Sequence, residues 1–230
     1  MSDPYCYPGT EVLRNHHGIV DAVELQRVEF ARSLYRLLEL NQRRLDGNYD
    51  LAHLQAFHRH LFGDVYPWAG ELRTVDIVRG ESRFAAARYL RDAAANVFAA
   101  LARQQFLQGL TREQFVARSA ELLGDVNALH PFREGNGRTQ RAFLSQLAGD
   151  AGWHIRWSRV SAGENIEASI ASLAGDNTPM AQLLARSVIA RPAEAATPGI
   201  GPHERHQQHE QLYPQPGAPR PIEGLPPPQP

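Results

Sequence analysis

The distribution of proline limits what this 230-residue chain can fold into. Eleven of its 16 prolines fall between Arg191 and Pro230, among Gly, Gln and three His, with no apolar periodicity. Each proline removes a backbone donor and fixes φ, which suits neither a helix interior nor a central strand. Such a segment cannot bury enough apolar surface to offset the entropy of ordering. Residues 191–230 therefore read as a disordered or polyproline-like tail. Folding capacity lies in 1–190, long enough for one domain with a sizeable core.

Within 1–190 the pattern is mainly helical. Leu25, Val28, Phe30, Leu34, Leu37 and Leu38 approximate a helical stripe behind Asp21, a plausible N-cap. Leu51, Leu54, Phe57 and Leu61 form a cleaner stripe behind Asp50, closed by Gly63 and Pro67. Tyr89, Leu90, Ala93, Val97 and Leu101 make a third. Thr111 with Gln114 is a capping box that opens a helix running to about Leu129, where Pro131 disfavours a helical His130. A further helix starts near Gly137, Ser161 with Glu164 opens another, and Pro179 suits the first turn of a last one. The β-branched run Arg73–Val78, followed by a turn at Arg79-Gly80-Glu81-Ser82, breaks the helical period. Residues 72–86 read as a small β-hairpin. Two strands alone are marginal, so the hairpin must rest on the helices as a flap.

Composition removes several chemistries. All 24 basic residues are arginine. Without lysine there is no Schiff base, no Walker-type phosphate lysine and no kinase strand lysine. The single Cys6 rules out an intrachain disulfide framework and argues against a thiolate zinc site. A net charge of −1 argues against direct nucleic-acid binding. No apolar run approaches the ~18 residues of a membrane span, and the first residues lack the basic and apolar regions of a signal peptide. His53, His58 and His60 lack the i, i+4 spacing of a helical zinc pair and read as structural or solvated. Trp68, Trp153 and Trp157 read as core.

One segment concentrates chemistry: His130-Pro131-Phe132-Arg133-Glu134-Gly135-Asn136-Gly137-Arg138-Thr139-Gln140-Arg141. It lies between two expected helices. Gly135-Asn136-Gly137 permits close approach of a ligand, and the amides of the following helix N-terminus form an anion site. Arg138 and Arg141, three apart, can reach one polyphosphate. Glu134 beside that anion would be repulsive unless a cation lies between them, and Mg²⁺ held by one carboxylate plus phosphate oxygens fits. His130 can accept a proton at neutral pH. Base, metal ligand, anion cradle and charge clamps make the inventory of phosphoryl or nucleotidyl transfer.

The segment resembles the Fic-domain signature His-x-Phe-x-(Asp/Glu)-Gly-Asn-Gly-Arg-x-x-Arg at every fixed position. Tyr7-Pro8-Gly9-Thr10 with Leu13-Arg14-Asn15 resembles the start of bacterial Fic toxins, and Gly70-Glu71-Leu72-Arg73-Thr74 through Phe84 resembles the family's flap. The resemblance covers about residues 5–190. It implies a mainly α, Fic-type helical core with a small hairpin flap, and an adenylyltransferase that moves AMP from ATP to a protein hydroxyl. By position, His130 would be the general base on a target Ser, Thr or Tyr, and Glu134 would hold Mg²⁺. Gly135, Asn136 and Gly137 would cradle the α-phosphate and its neighbours. Arg138 would clamp the outer phosphates with help from Arg141, and Phe132 would anchor the loop. The flap would pair with an extended target segment by strand addition. The AMP assignment comes from the family alone. Relatives that transfer UMP, phosphocholine or phosphate keep the same site, and a nucleotide-binding interaction module without turnover is the reading from another class.

The family also bears on control. Many members are blocked by a helix carrying (Ser/Thr)-x-x-x-Glu-(Gly/Asn), whose Glu pairs with the second motif arginine. Here Glu precedes Gly or Asn at Glu134, Glu164 and Glu223, with His130, Val160 and Pro219 four residues earlier. No inhibitory motif is present, so the resemblance implies a toxin subunit with a separate small antitoxin. It further implies a bacterial, cytoplasmic protein, with a topoisomerase subunit as the family-based guess for the target. Secretion into a host cell is compatible with the sequence.

Overall fold

A computed structural model gives the structure, which describes residues 3–80 and 82–191. The described residues form seven α-helices: α1 (Ala22–Gln42), α2 (Leu51–Phe62), α3 (Leu90–Arg103), α4 (Arg112–Leu129), α5 (Asn136–Asp150), α6 (Ala162–Leu173) and α7 (Thr178–Ser187). Two antiparallel pairs of very short strands accompany them, β1 (Val78–Arg79) with β2 (Ser82–Arg83), and β3 (Trp153–Ile155) with β4 (Val188–Ala190). The mainly helical core with one small hairpin is as the sequence leads one to expect. The expected tail, Arg191 apart, lies outside the described residues. Arg191 itself is tied down: its amide donates to the Gly152 carbonyl (3.0 Å) and its Nη1 to that of Gly149 (2.9 Å).

The helix starts follow from their caps. Asp21 accepts from the Glu24 amide (2.7 Å) and Asp50 from that of His53 (2.8 Å). Reciprocal capping boxes close at Thr111/Gln114 and Ser161/Glu164. Helix α4 is the hub, burying residues such as Phe115, Ala120, Leu123, Val126 and Leu129 against α3, α5, α6 and α7. Helix α5 packs on α2 and α4 through Ala142, Phe143, Leu144 and Leu147. Between α3 and α4 three successive non-glycine residues, Gln105, Phe106 and Leu107, have φ of 52°, 53° and 60°. The complete burial of Phe106 and Leu107 holds this costly left-handed turn.

Three expectations need correction. The expected apolar stripe of α1 is not its inward face: Phe30, Leu34, Leu37 and Leu38 are exposed, whereas Leu25, Glu29 and Ser33 are buried. A polar pairing described below sets the rotation of this helix. The α3 stripe is turned by about one position, onto Leu90, Ala94, Phe98 and Leu101, with Tyr89 exposed. The hairpin is also shorter than 72–86, because the flanking amides bond elsewhere. Arg73 N–H donates to the Pro131 carbonyl (2.9 Å), Thr74 N–H to the Tyr5 hydroxyl (3.0 Å) and Ala85 N–H to the Ala128 carbonyl (2.9 Å). The flap is thus a loop laced to α4 and the N-terminal segment, with a two-residue ladder at its tip.

Arg73 does most of that lacing. Its side chain is fully buried, and its guanidinium donates to four carbonyls: His130 (Nε, 2.8 Å), Val75 (Nη1, 2.7 Å), Leu129 (Nη2, 3.3 Å) and Ala85 (Nη2). Two of these are at the C-terminal end of α4, where a cation also answers the helix dipole. Burial lowers its pKa, and Asp76 at 3.9 Å is too distant and exposed to compensate it fully. Carbonyls are what keep this cation inside. Replacing Arg73 by Met keeps the bulk and strands several buried acceptors, each costing about 1–3 kcal/mol. The expected loss is at least about 3 kcal/mol, read from urea unfolding. A loss below about 1 kcal/mol would mean that water substitutes for the guanidinium.

Candidate active site

Every residue singled out in the motif comes together at the turn from α4 to α5. His130 caps α4 in the left-handed region (φ 44°, ψ 58°), where the helix stops. Phe132, fully buried, plugs the loop into the core as expected. Asn136 closes the loop on itself: its Oδ1 accepts from the Phe132 amide (2.9 Å) and its Nδ2 donates to the Phe132 carbonyl (2.8 Å). The Asn136 side chain is therefore spent on the loop, and what it can offer a ligand is its backbone. Gly135 caps α5 at φ 80°, and a Cβ there would sit 2.4 Å from the Phe62 ring, so both backbone and space require glycine. At Gly137 a Cβ would meet nothing closer than Arg141 Nη1 at 3.5 Å, which leaves the face open to a ligand. The first helical bond comes from Thr139 to Gly135 (3.1 Å), so the amides of Asn136, Gly137 and Arg138 lie in the unpaired first turn.

His130 is only 8% exposed, and neither ring nitrogen makes a well-aligned hydrogen bond among the described residues, although the backbone of Asn127 lies near enough to be felt. Phe84, from the flap, stacks on it with centroids 3.8 Å apart. Burial first, then the Arg79 charge, push its pKa down to about 4, against the opposing pull of Glu134. The ring is thus neutral at pH 7, with an unpaired basic nitrogen. Buried polar atoms left unpaired are rare in folded proteins, and one on an imidazole marks a place for a proton donor.

Glu134 is anchored by its own loop, accepting from the Gly135 amide at Oε1 (2.8 Å). Its Oε2 meets Arg79 Nη2 of the flap at 3.0 Å. Arg138 is held by α1: Nη1 donates to Ser33 Oγ (2.9 Å), Nη2 pairs with Glu29, and the guanidinium lies 4.7 Å from the centre of the Phe62 ring. Arg141 has no acidic partner among the described residues, and burial, then the Arg138 charge, lower its pKa. Leu37, Leu38, Trp153, Trp157, Arg138 and Arg141 line a groove of about 480 Å³ along α1 and α5.

Sequence reasoning missed two supports of this site. His58 accepts from the Gly70 amide at Nδ1 (2.7 Å) and donates from Nε2 to the Glu134 carbonyl (2.9 Å), so it is the neutral Nε2–H tautomer. It stacks on Phe132 (3.9 Å) and fixes the motif loop against α2. Its phase on the Leu54-Phe57-His58-Leu61 stripe is the signal that could have revealed it. Glu29 and Ser33 share the phase of Leu25, but a carboxylate in phase with one leucine does not announce a buried partner.

The model of the Fic/DOC family matches residues 48–148. The protein adenylyltransferase VbhT of Bartonella schoenbuchensis is 46% identical over 187 residues, which are 81% of this chain and 39% of that protein. The probable protein adenylyltransferase y4lH of Sinorhizobium fredii is 40% identical over 82% of this chain and 97% of its own length. The chain thus spans less than half of VbhT and nearly all of y4lH. Among solved structures, the BepC effector of Bartonella tribocorum with bound AMPPNP superposes with a TM-score of 0.77 at 25% identity, covering 82% of this chain and 97% of that one. The N-terminal Fic domain of a putative cell filamentation protein of Bartonella quintana, with bound ADP, gives 0.78 at 27% identity, covering 82% and 96%.

The two buried imidazoles make stability depend on pH. Burial pushes both His58 and His130 down to about 4, whereas an unfolded histidine titrates near ~6.5. Between these values the unfolded chain binds protons that the folded chain does not. Folding is therefore fully favoured above the unfolded pKa and weakens as pH falls, by up to about 1.4 kcal/mol per pH unit for each ring. Urea unfolding at pH 7, 6 and 5 checks the slope, and imidazole NMR signals of both rings should hold their neutral positions down to pH 5. A ring titrating near 6.5 would remove it from this account.

Proposed function

The chain belongs to the Fic/DOC family, and from that premise we propose that it transfers AMP from ATP to a hydroxyl side chain of a target protein. The observation that carries the reading is His130: a neutral, unpaired imidazole beside the open first turn of α5, with Arg138 in that turn and Arg141 on the next. His130 takes the proton of a target Ser, Thr or Tyr hydroxyl as its oxygen bonds to the α-phosphorus. The bond from that phosphorus to the β-bridging oxygen breaks, and pyrophosphate leaves. The α5 amides receive the charge on the α-phosphate, and the arginines hold the outer phosphates. The adenylyltransferase names of the relatives, and nucleotides bound in Fic structures of similar fold, support this choice of donor.

Magnesium fits Glu134. The carboxylate already faces a cation, the Arg79 guanidinium, through Oε2. No cluster of three acidic, His or Cys ligands occurs among the described residues, so the donor's phosphate oxygens would complete the metal's shell. Bound there, Mg²⁺ would neutralise charge on the phosphates. Glu134 would hold it, and Arg79 would have to leave Oε2 free.

The flap offers its short ladder for pairing with an extended target segment, bringing a hydroxyl toward His130. The exposed apolar side of α1, the adjoining groove and the unpaired Arg141 suit a helix with an apolar face and a carboxylate. That is the chemistry of a small antitoxin, and it supports the reading of the chain as a toxin subunit of the bacterial cytoplasm. Residues 1–190 would form the transferase unit.

The test is incubation of the chain with Mg²⁺, α-labelled ATP and a bacterial lysate, with intact-mass analysis of labelled proteins. An added AMP on a target is expected, with a rate about 10²–10⁴ lower for His130→Ala. Label that does not depend on His130 would sink the assignment of the base. Label only from UTP or another donor would replace ATP. Omitting Mg²⁺, or substituting Glu134→Gln, should each suppress transfer, and the variant should show weaker Mn²⁺ binding by EPR. Unchanged Mn²⁺ affinity would remove Glu134 as its holder.

A further inference from the structure

Helix α1 turns a carboxylate inward. Its buried residues are Leu25, Glu29 and Ser33, four apart on one line, while Phe30, Leu34 and Leu38 face solvent. Polar bonds, not aliphatic burial, hold two of these three inward positions. Glu29, only 8% exposed, is bonded at both oxygens: Oε1 to Arg138 Nη2 and Oε2 to the Tyr66 hydroxyl. Ser33 Oγ takes Arg138 Nη1 at 2.9 Å. Both terminal nitrogens of Arg138 are therefore held by α1, with Phe62 beneath the plane.

A guanidinium has five N–H donors in a rigid fork. Two are used here. The Nε–H and one N–H on each terminal nitrogen remain. Glu29, Tyr66, Glu134 and Arg138 line a common open cleft of about 330 Å³, so the free edge borders a space beside the acidic motif residue. The neighbouring Arg141 lacks such a hold and feels the Arg138 charge as repulsion. A carboxylate on Arg138 lets two cations three residues apart share one site, and it removes the choice of rotamers that a free arginine would have to surrender on binding.

We propose that Glu29 is a positioning residue: it fixes Arg138 from α1 so that the remaining N–H edge grips the phosphates beyond the α-position, and thereby favours nucleoside triphosphates over monophosphates. This rests on the reading of the site as one for ATP. Glu29 touches no reacting atom and acts only through Arg138.

The test is calorimetric titration of the full chain with ATP, ADP and AMP in Mg²⁺, for the parent, Glu29→Ala, Glu29→Gln and Arg138→Ala, with thermal unfolding of each. Glu29→Ala should weaken ATP by about tenfold or more, the scale of a charge-assisted hydrogen bond, and leave AMP within about threefold. Glu29→Gln keeps an acceptor for Arg138 and should recover most of the loss. In the Arg138→Ala background Glu29→Ala should cost ATP binding nothing more. An equal loss for all three nucleotides would make Glu29 a merely structural residue and overturn the inference. ATP binding as tight as, or tighter than, the parent's would make the contact a lock on Arg138 and overturn it too. If Glu29→Ala does not fold, Glu29→Gln and Ser33→Ala read the same ratio: each should lose more affinity for ATP than for AMP, and equal losses would overturn the inference. If Arg138→Ala loses the preference for ATP and the Glu29 variants keep it, only the role of Glu29 falls. If the parent itself shows no preference for ATP over AMP, the ATP reading falls with it.

Discussion

The buried guanidinium of Arg73 joins the flap to the end of α4. A cation in a protein interior must be met by acceptors, and here carbonyls from the end of α4 and from both sides of the flap meet it. Satisfying one charge therefore fixes three things at once: where α4 stops, how His130 leaves it, and where the flap sits above it. With the flap held there, Phe84 stacks on the His130 ring. The environment of His130, the proposed base, thus follows from the satisfaction of a charge bonded to its own carbonyl.

The same loop uses two histidines in opposite ways. Both are buried and both are neutral at pH 7. His58 has each nitrogen engaged with backbone, so its proton is fixed and its ring is a strut. His130, one loop away, has neither nitrogen engaged within the described residues. Desolvation alone does not distinguish a strut from a base; the unfilled hydrogen-bonding capacity does. The strut also serves the proposed base, because His58 holds the Glu134 carbonyl and thereby the loop that begins at His130.

Much of this could be read from the sequence. The capping residues Asp21, Asp50, Thr111 and Ser161 carry their own hydrogen bonds, so the helix starts are local facts. The motif was legible because glycine, carboxylate, imidazole and arginine stand close in sequence and chemistry constrains them together. What could not be read depends on distant partners. The rotation of α1 is set by Arg138, more than a hundred residues later. The β3–β4 pair joins residues on either side of α6 and α7, and three-residue strands are too short to show alternation. The hairpin is shorter than its sequence suggests because β-branched residues near Val75 favour pairing, whereas the amides of Arg73 and Thr74 bond to Pro131 and a tyrosine hydroxyl.

Glu134 is met by Arg79 and Glu29 by Arg138, and among the described residues Arg141 alone of the two motif arginines has no acid to answer it. A protein that keeps a half-buried cation uncompensated leaves a favourable place for an anion. The two pairs differ in kind. Arg79 sits on an exposed hairpin and is about half exposed, so its bond to Glu134 is a surface pair that water and salt weaken. Glu29 is buried and bonded at both oxygens, so its bond to Arg138 is part of the fold. An incoming polyphosphate would meet one cation already fixed, one free to accept it, and one carboxylate whose present partner is easily displaced. That order of strengths would let a metal reach Glu134 without loosening the helix that holds Arg138.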